Sequence, residues 1–156
     1  MRSPRHVLWI GVVLALTSTA AAGVAIQRKV VVATLGGWQA SYTHEGANEA
    51  QMLLRYSGNW SYSRGNWCGP EGIGRGGAKV EGLIAPQCPP YSLVAQVEVS
   101  GQPPVTHCLM EQDHFALPPG TRVSFGINEA ADATRDNAGV ISLEILVGDT
   151  PRRGSQ

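Results

Sequence analysis

Charge is scarce in this chain, and neither sign prevails: charged residues make up 15% of it, with twelve Lys and Arg against twelve Asp and Glu. Arg2 and Arg5 belong to an N-terminal segment that reads as separate from the fold, so the remainder carries a slight acidic excess. Without a basic stripe or patch, recognition of nucleic acid through its phosphates is not expected. Helical periodicity is nearly missing as well. Past the N-terminal segment no stretch keeps apolar residues at three- and four-residue spacing for more than a turn or two, which argues against a helical fold. The chain also lacks a Gly-x-Ser-x-Gly elbow, a phosphate loop and a His-Glu-x-x-His helix, the usual sequence marks of hydrolases and nucleotide enzymes.

Glycine and proline are plentiful instead, at 19 and 10 of 156 residues. Both break helices and punctuate hairpins, so the expected class is all-β. A hydrophobic content of 43% suffices for one core, and the length suits one domain. Period-two alternation marks the strands. In "GVISLEILV" Ile141, Leu143, Ile145 and Val147 share a face; in "TRVSFGIN" Val123, Phe125 and Ile127 do; in "SLVAQVEVS" Leu93, Ala95, Val97 and Val99 do. Weaker strand signals cover 29–35, 50–57, 59–63 and 105–110, and residues 64–90 read as one long irregular segment. Seven or eight short strands predict a two-sheet, jelly-roll-like β-sandwich over 28–148, with 149–156 a flexible tail.

Residues 1–30 open with the basic "MRSPRH" and continue into the apolar "VLWIGVVLALTSTAAAGVAI". This pattern reads as a signal peptide over 1–22, cleaved after Ala20 or Ala22, which places the domain outside the cell or in a periplasm. The rival reading is an uncleaved membrane anchor over 7–26, long enough to cross a bilayer. Export permits disulfides among Cys68, Cys88 and Cys108. The expected pair is Cys68 with Cys88, stapling the long segment, while Cys108 lies in a strand. Zinc held by the three cysteines and His114 is a weaker alternative, because the paired Cys-x-x-Cys spacing is missing.

The chemistry-bearing stretch is "NEAADATRDNAG" at 128–139. Asn128, Glu129, Asp132, Asp136 and Asn137 offer side-chain oxygens, and Thr134 a hydroxyl, on the connection between two strands. Calcium takes six to eight such oxygen ligands, whereas a polar hairpin would select the same residues for their turn geometry. A second cluster is aromatic: Trp60, Tyr62 and Trp67 precede "GPEG". Rings near a polar rim suit the C–H faces of sugars, although a sandwich commonly buries a Trp between its sheets. Catalysis by His107, His114 and Asp113 is not expected. His107 and Cys108 are neighbours on a strand and point to opposite faces, and His114 beside Asp113 reads as a surface pair.

The order of these motifs resembles the PA-I galactophilic lectin family over about 30–147. The resemblance is carried by "GGWQ" at 36–39, "GNWSYS" at 58–63, "GPEG" at 69–72, "GLIAPQCPPYSLVAQV" at 82–97 and "INEAADATRDNAGVISLEI" at 127–145, with a nine-residue step from Asn128 to Asn137. It implies a galactose-binding β-sandwich with one calcium ion whose coordination sphere takes in two sugar hydroxyls. The side-chain ligands implied are Glu129, Asp136 and Asn137, the carbonyl ligands Tyr62 and Ala133, and the polar sugar contact Glu81. The chain departs from the family where Glu129 replaces Asp, Ala138 replaces Ser, and the loop around Ala78 lacks a histidine. The expectation is therefore an exported, non-catalytic carbohydrate-binding domain of galactose type that uses calcium. The alternative is a sandwich that has lost its site and serves as a structural or interaction domain at the cell envelope, held at the membrane through 7–26.

Overall fold

A computed structural model of the chain describes residues 23–74 and 80–149. The expected signal peptide at 1–22, the alternative anchor at 7–26 up to residue 22, the expected tail at 149–156 from residue 150 on, and the loop around Ala78 lie outside the described residues.

Among the described residues nine strands form two antiparallel sheets. They are β1 (Ala25–Val32), β2 (Ser41–Thr43), β3 (Ala50–Ser63), β4 (Asn66–Cys68), β5 (Leu93–Glu98), β6 (Val105–Cys108), β7 (His114–Leu117), β8 (Arg122–Ile127) and β9 (Ala138–Asp149). The first sheet runs β1-β9-β3-β4, with β7 also paired to β3, and the second runs β2-β8-β5-β6. The expected two-sheet β-sandwich is the observed architecture.

Alternation places the core. Ile141, Leu143, Ile145 and Val147 of β9 are buried, as are Met52, Leu54 and Trp60 of β3, and they meet Leu93, Ala95, Val123, Phe125 and Ile127 of the other sheet. Each fully buried Leu, Ile or Phe contributes about 1.5–3 kcal/mol relative to exposure. Trp60 is wholly buried, which settles it as a core residue. A smaller cluster of Ala85, Cys88, Val94 and Cys108 lies apart from this core, with Trp38 and Ile84 packed against it. It explains why Val94, out of phase with its neighbours, is buried too.

Several local expectations give way to the tertiary context. Residues 50–57 and 59–63 belong to one fourteen-residue strand. Gly58, which reads as a break, instead takes a φ of 115° and lies against the Val140 carbonyl, where a side chain would collide. Strand β4 emerges from the supposed irregular segment, and β2 and β7 are too short to show a period. Strand β1 begins at Ala25, ahead of 28, and takes in the last two residues of the apolar run, with Ala25 opposite Val147 and Ile26 opposite Leu146.

The disulfide expectation is overturned. Cys88 bonds Cys108, with their Cα atoms 5.3 Å apart, and Cys68 is a free thiol. The reason is topological. Strand β6 puts Cys108 opposite Val94 on the second sheet, where the turn from Ala85 to Cys88 folds down. Strand β4 carries Cys68 to the first sheet, with its sulfur 3.2 Å from the Trp60 indole nitrogen. A zinc site built on all three thiols is excluded by the same bond.

Candidate functional site

One end of the sandwich gathers the residues singled out in the sequence. The loop after β1, the end of β3, strand β4, the loop leading into β5 and the 128–137 connection between β8 and β9 all meet there. The contacts are close. Gly36 abuts the Ala131 backbone and Gly82 lies against Ala130, so a side chain at either position would clash. Thr134 donates its hydroxyl to the Thr34 carbonyl at 3.2 Å, from the first residue of a single 3₁₀ turn, Thr134–Asp136.

Asn128 anchors this crown and is not free to bind an ion. It is fully buried. Its Oδ1 accepts from the Ala85 N–H, and its Nδ2 donates to the carbonyls of Ala85, Cys88 and Pro89, at 2.9 to 3.1 Å. The side chain thus replaces a missing strand partner for the long loop. Thr134 is likewise committed to backbone.

Glu129 and Asn137 come together behind it. Both are buried, and the Asn137 Nδ2 donates to Glu129 Oε2 at 2.6 Å and to the Ala33 carbonyl at 3.2 Å. Those two acceptors fix the orientation of the amide, because the flipped form would set oxygen against oxygen. The Asn137 Oδ1 is then left buried without a hydrogen-bond partner among the described residues. Burial pushes the Glu129 carboxyl above its ordinary range; the Asn137 amide pulls it back, and the charge of Asp136 pushes it up again. Asp136 itself is exposed.

Tyr62 sits at the rim. The β3–β4 ladder pairs Ser61 with Trp67 and Ser63 with Asn66, and its register shifts at Tyr62. Its ring stacks on Tyr91, with centroids 4.4 Å apart and planes 19° from parallel. Tyr91 carried no signal in the sequence beyond following two prolines. It has a φ of 59°, a positive value shared by no other non-glycine residue described. Burial, then the charge of Glu129, hold its phenol above the usual range, with smaller contributions from Tyr62 and Asp136. The Cys68 thiol beside it is pushed up to about 11, chiefly by burial.

The other expected residues are placed less centrally. Ala133 is exposed and caps the 3₁₀ turn. Glu81 is exposed next to Gly82, where the chain passes Ala130. Trp67 is 54% exposed, its ring against Gly139. His114 lies far from this end, opposite Leu53 near the start of β3, with its Nδ1 3.2 Å from Asp113. His107 is on the other sheet, edge-on to Phe115. The structure therefore separates the two histidines.

Among the described residues no three His, Cys, Asp or Glu side chains converge on a point. Any cation here would rest on two carboxylates, an amide oxygen and backbone carbonyls. That is a donor set of calcium type rather than zinc type.

No family model matches the sequence, and no curated protein matches it. Among solved structures, the N-terminal domain of EclA, a PllA-like lectin, is similar to it with a TM-score of 0.42 and 14% identity, over 76% of this chain and 92% of that one. No residue role is carried across at that similarity, and membership of the PA-I family is not established.

Proposed function

We propose that the chain is an exported carbohydrate-binding domain of lectin type whose site is the crown around Glu129, Asp136 and Asn137, with calcium as its cofactor and a galactose-type sugar as its ligand. The observation that carries this reading is the buried Asn137 Oδ1, which has no hydrogen-bond partner among the described residues. A buried polar atom without a partner costs about 1–3 kcal/mol. Beside it lies a buried carboxylate whose neighbouring charge, Asp136, is of the same sign. Oxygen ligands that carry excess negative charge suit a cation, and calcium accepts carboxylate, amide and carbonyl groups. Glu129, Asp136 and Asn137 would hold it through side chains, Tyr62 and Ala133 through carbonyls, and Glu81 would meet the sugar at the rim. When bound, the ion would take sugar hydroxyls in place of water.

One observation favours a second reading, a sandwich that has lost its site and serves as an interaction domain. Glu129 is one methylene longer than Asp, and it already takes the Asn137 amide at 2.6 Å, partly satisfying the pocket from within.

Melting the protein in millimolar calcium and again in chelator decides between them. Binding to the native state must raise the melting temperature, and identical curves would leave only the second reading. A glycan array in calcium then tests the sugar, with galactose-terminated glycans expected to retain the protein.

A further inference from the structure

A site made of Glu129, Asp136 and the Asn137 Oδ1 offers acceptors alone. The two Nδ2 protons of Asn137 are spent on Ala33 and Glu129, and carboxylates donate nothing when ionised. A saccharide hydroxyl both donates and accepts; one seated on a cation gives its lone pair to the ion, but a hydroxyl beside the ion needs a donor from elsewhere. Tyr91 and Tyr62 carry hydroxyls at the same end of the sandwich, and among the described residues neither phenol has a protein acceptor.

The backbone around Tyr91 is held in place on every side. Its N–H donates to the Asn128 carbonyl at 2.9 Å, directly before Glu129, and its carbonyl accepts from the Trp60 indole at 3.0 Å. Ile73 N–H donates to Pro90 and Ser92 N–H to Pro89. These bonds enforce a left-handed conformation that glycine adopts freely and that a bulky residue adopts at a cost. The fold gains nothing from a side chain there that glycine would not give more cheaply, apart from the ring itself. The ring is not in the main core; it stacks on Tyr62 at the rim.

We infer that Tyr91 is the hydrogen-bond donor of this site, its phenol hydroxyl contacting the bound saccharide beside Glu129 and Asp136 and selecting for one particular sugar hydroxyl. This rests on the carbohydrate reading above. Tyr62 is the positioning partner that sets the ring by stacking.

The test titrates the full chain, in calcium, with methyl α-galactoside and its monodeoxy analogues, for the unaltered protein, Tyr91→Phe and Tyr91→Gly. Tyr91→Phe keeps the stack and removes the hydroxyl. It should weaken methyl α-galactoside about fivefold, as for one net hydrogen bond, at an unchanged melting temperature. One monodeoxy analogue should lose affinity for the unaltered protein but not for Tyr91→Phe, since the lost partner is shared. Tyr91→Gly, which the backbone accommodates, should weaken binding further. If the phenylalanine variant binds the parent sugar and every analogue as the unaltered protein does, or loses all of them equally, the assignment is overturned while the lectin reading stands. If the unaltered protein binds none of them, both fall.

Discussion

Asn128 and Ala85 exchange a pair of hydrogen bonds across 43 residues of chain, Ala85 N–H to Asn128 Oδ1 and Asn128 Nδ2 to the Ala85 carbonyl, each 2.9 Å. The pair does for a loop what a ladder does for a strand, and it ties the segment between β4 and β5 to the start of the 128–137 connection. Asn128→Ala leaves the buried Ala85 N–H and Cys88 carbonyl without this partner and takes one of the donors from the carbonyls of Ala85 and Pro89. The expected loss is about 3 kcal/mol, read as a lower midpoint in urea denaturation. An unchanged midpoint would mean that the loop is held by other contacts.

The Glu129 carboxyl titrates above its ordinary value of 4.5, so the folded chain binds this proton more tightly than the unfolded chain. Between 4.5 and the raised value the folded state carries more protons, and stability falls as pH rises through that window. In chelator, the melting temperature should decline on going up from 4.5, and Glu129→Gln should flatten this part of the profile. Calcium should reverse the slope by favouring the ionised carboxylate. A profile identical for Glu129→Gln and the unaltered chain would place the titration elsewhere.

The Cys68 thiol, pushed up to about 11, holds little thiolate near neutrality. Alkylation of the folded protein at pH 8 should run roughly two orders of magnitude slower than that of a free cysteine. Unfolding in urea should abolish the difference. Rapid labelling of the native protein would contradict the burial beside Trp60.

The Cys88–Cys108 bond closes a segment of 20 residues, and its removal by Cys108→Ser with Cys88→Ser should cost about 3 kcal/mol. A non-reducing peptide map should show the 88 and 108 peptides linked, and a single alkyl group on the peptide containing Cys68. A linked 68 and 88 pair would restore the pairing expected from the sequence.

Strand β9 was legible because only one of its faces is buried, and β5 and β8, covered on both faces for part of their length, because the residue order still mostly alternates large apolar with polar or small side chains. Strand β3 was split in two because Gly58 and Asn59 look like a turn when nothing shows Val140 packed against them. The cysteine pairing depended on which sheet each strand joins, and residue order alone does not carry that. At the site, Glu129, Asp136 and Asn137 were visible as oxygen-rich positions, but Asn128 looked the same as they do, and only its partners distinguish a clamp from a ligand. Tyr91 was hidden because its role comes from a backbone angle that tyrosine seldom takes.

Strand β1 runs from Ala25, opposite Val147, to Val32, opposite Val140. At about 3.3 Å per residue, its eight residues set the entry of the chain roughly 25 Å from the crown, at the far pole of the sandwich. The described domain is thus polarised along its strands. A surface or partner that held it by its N-terminal end would leave the crown that carries Glu129, Asp136, Asn137 and Tyr91 at the opposite end, toward whatever approaches from solution.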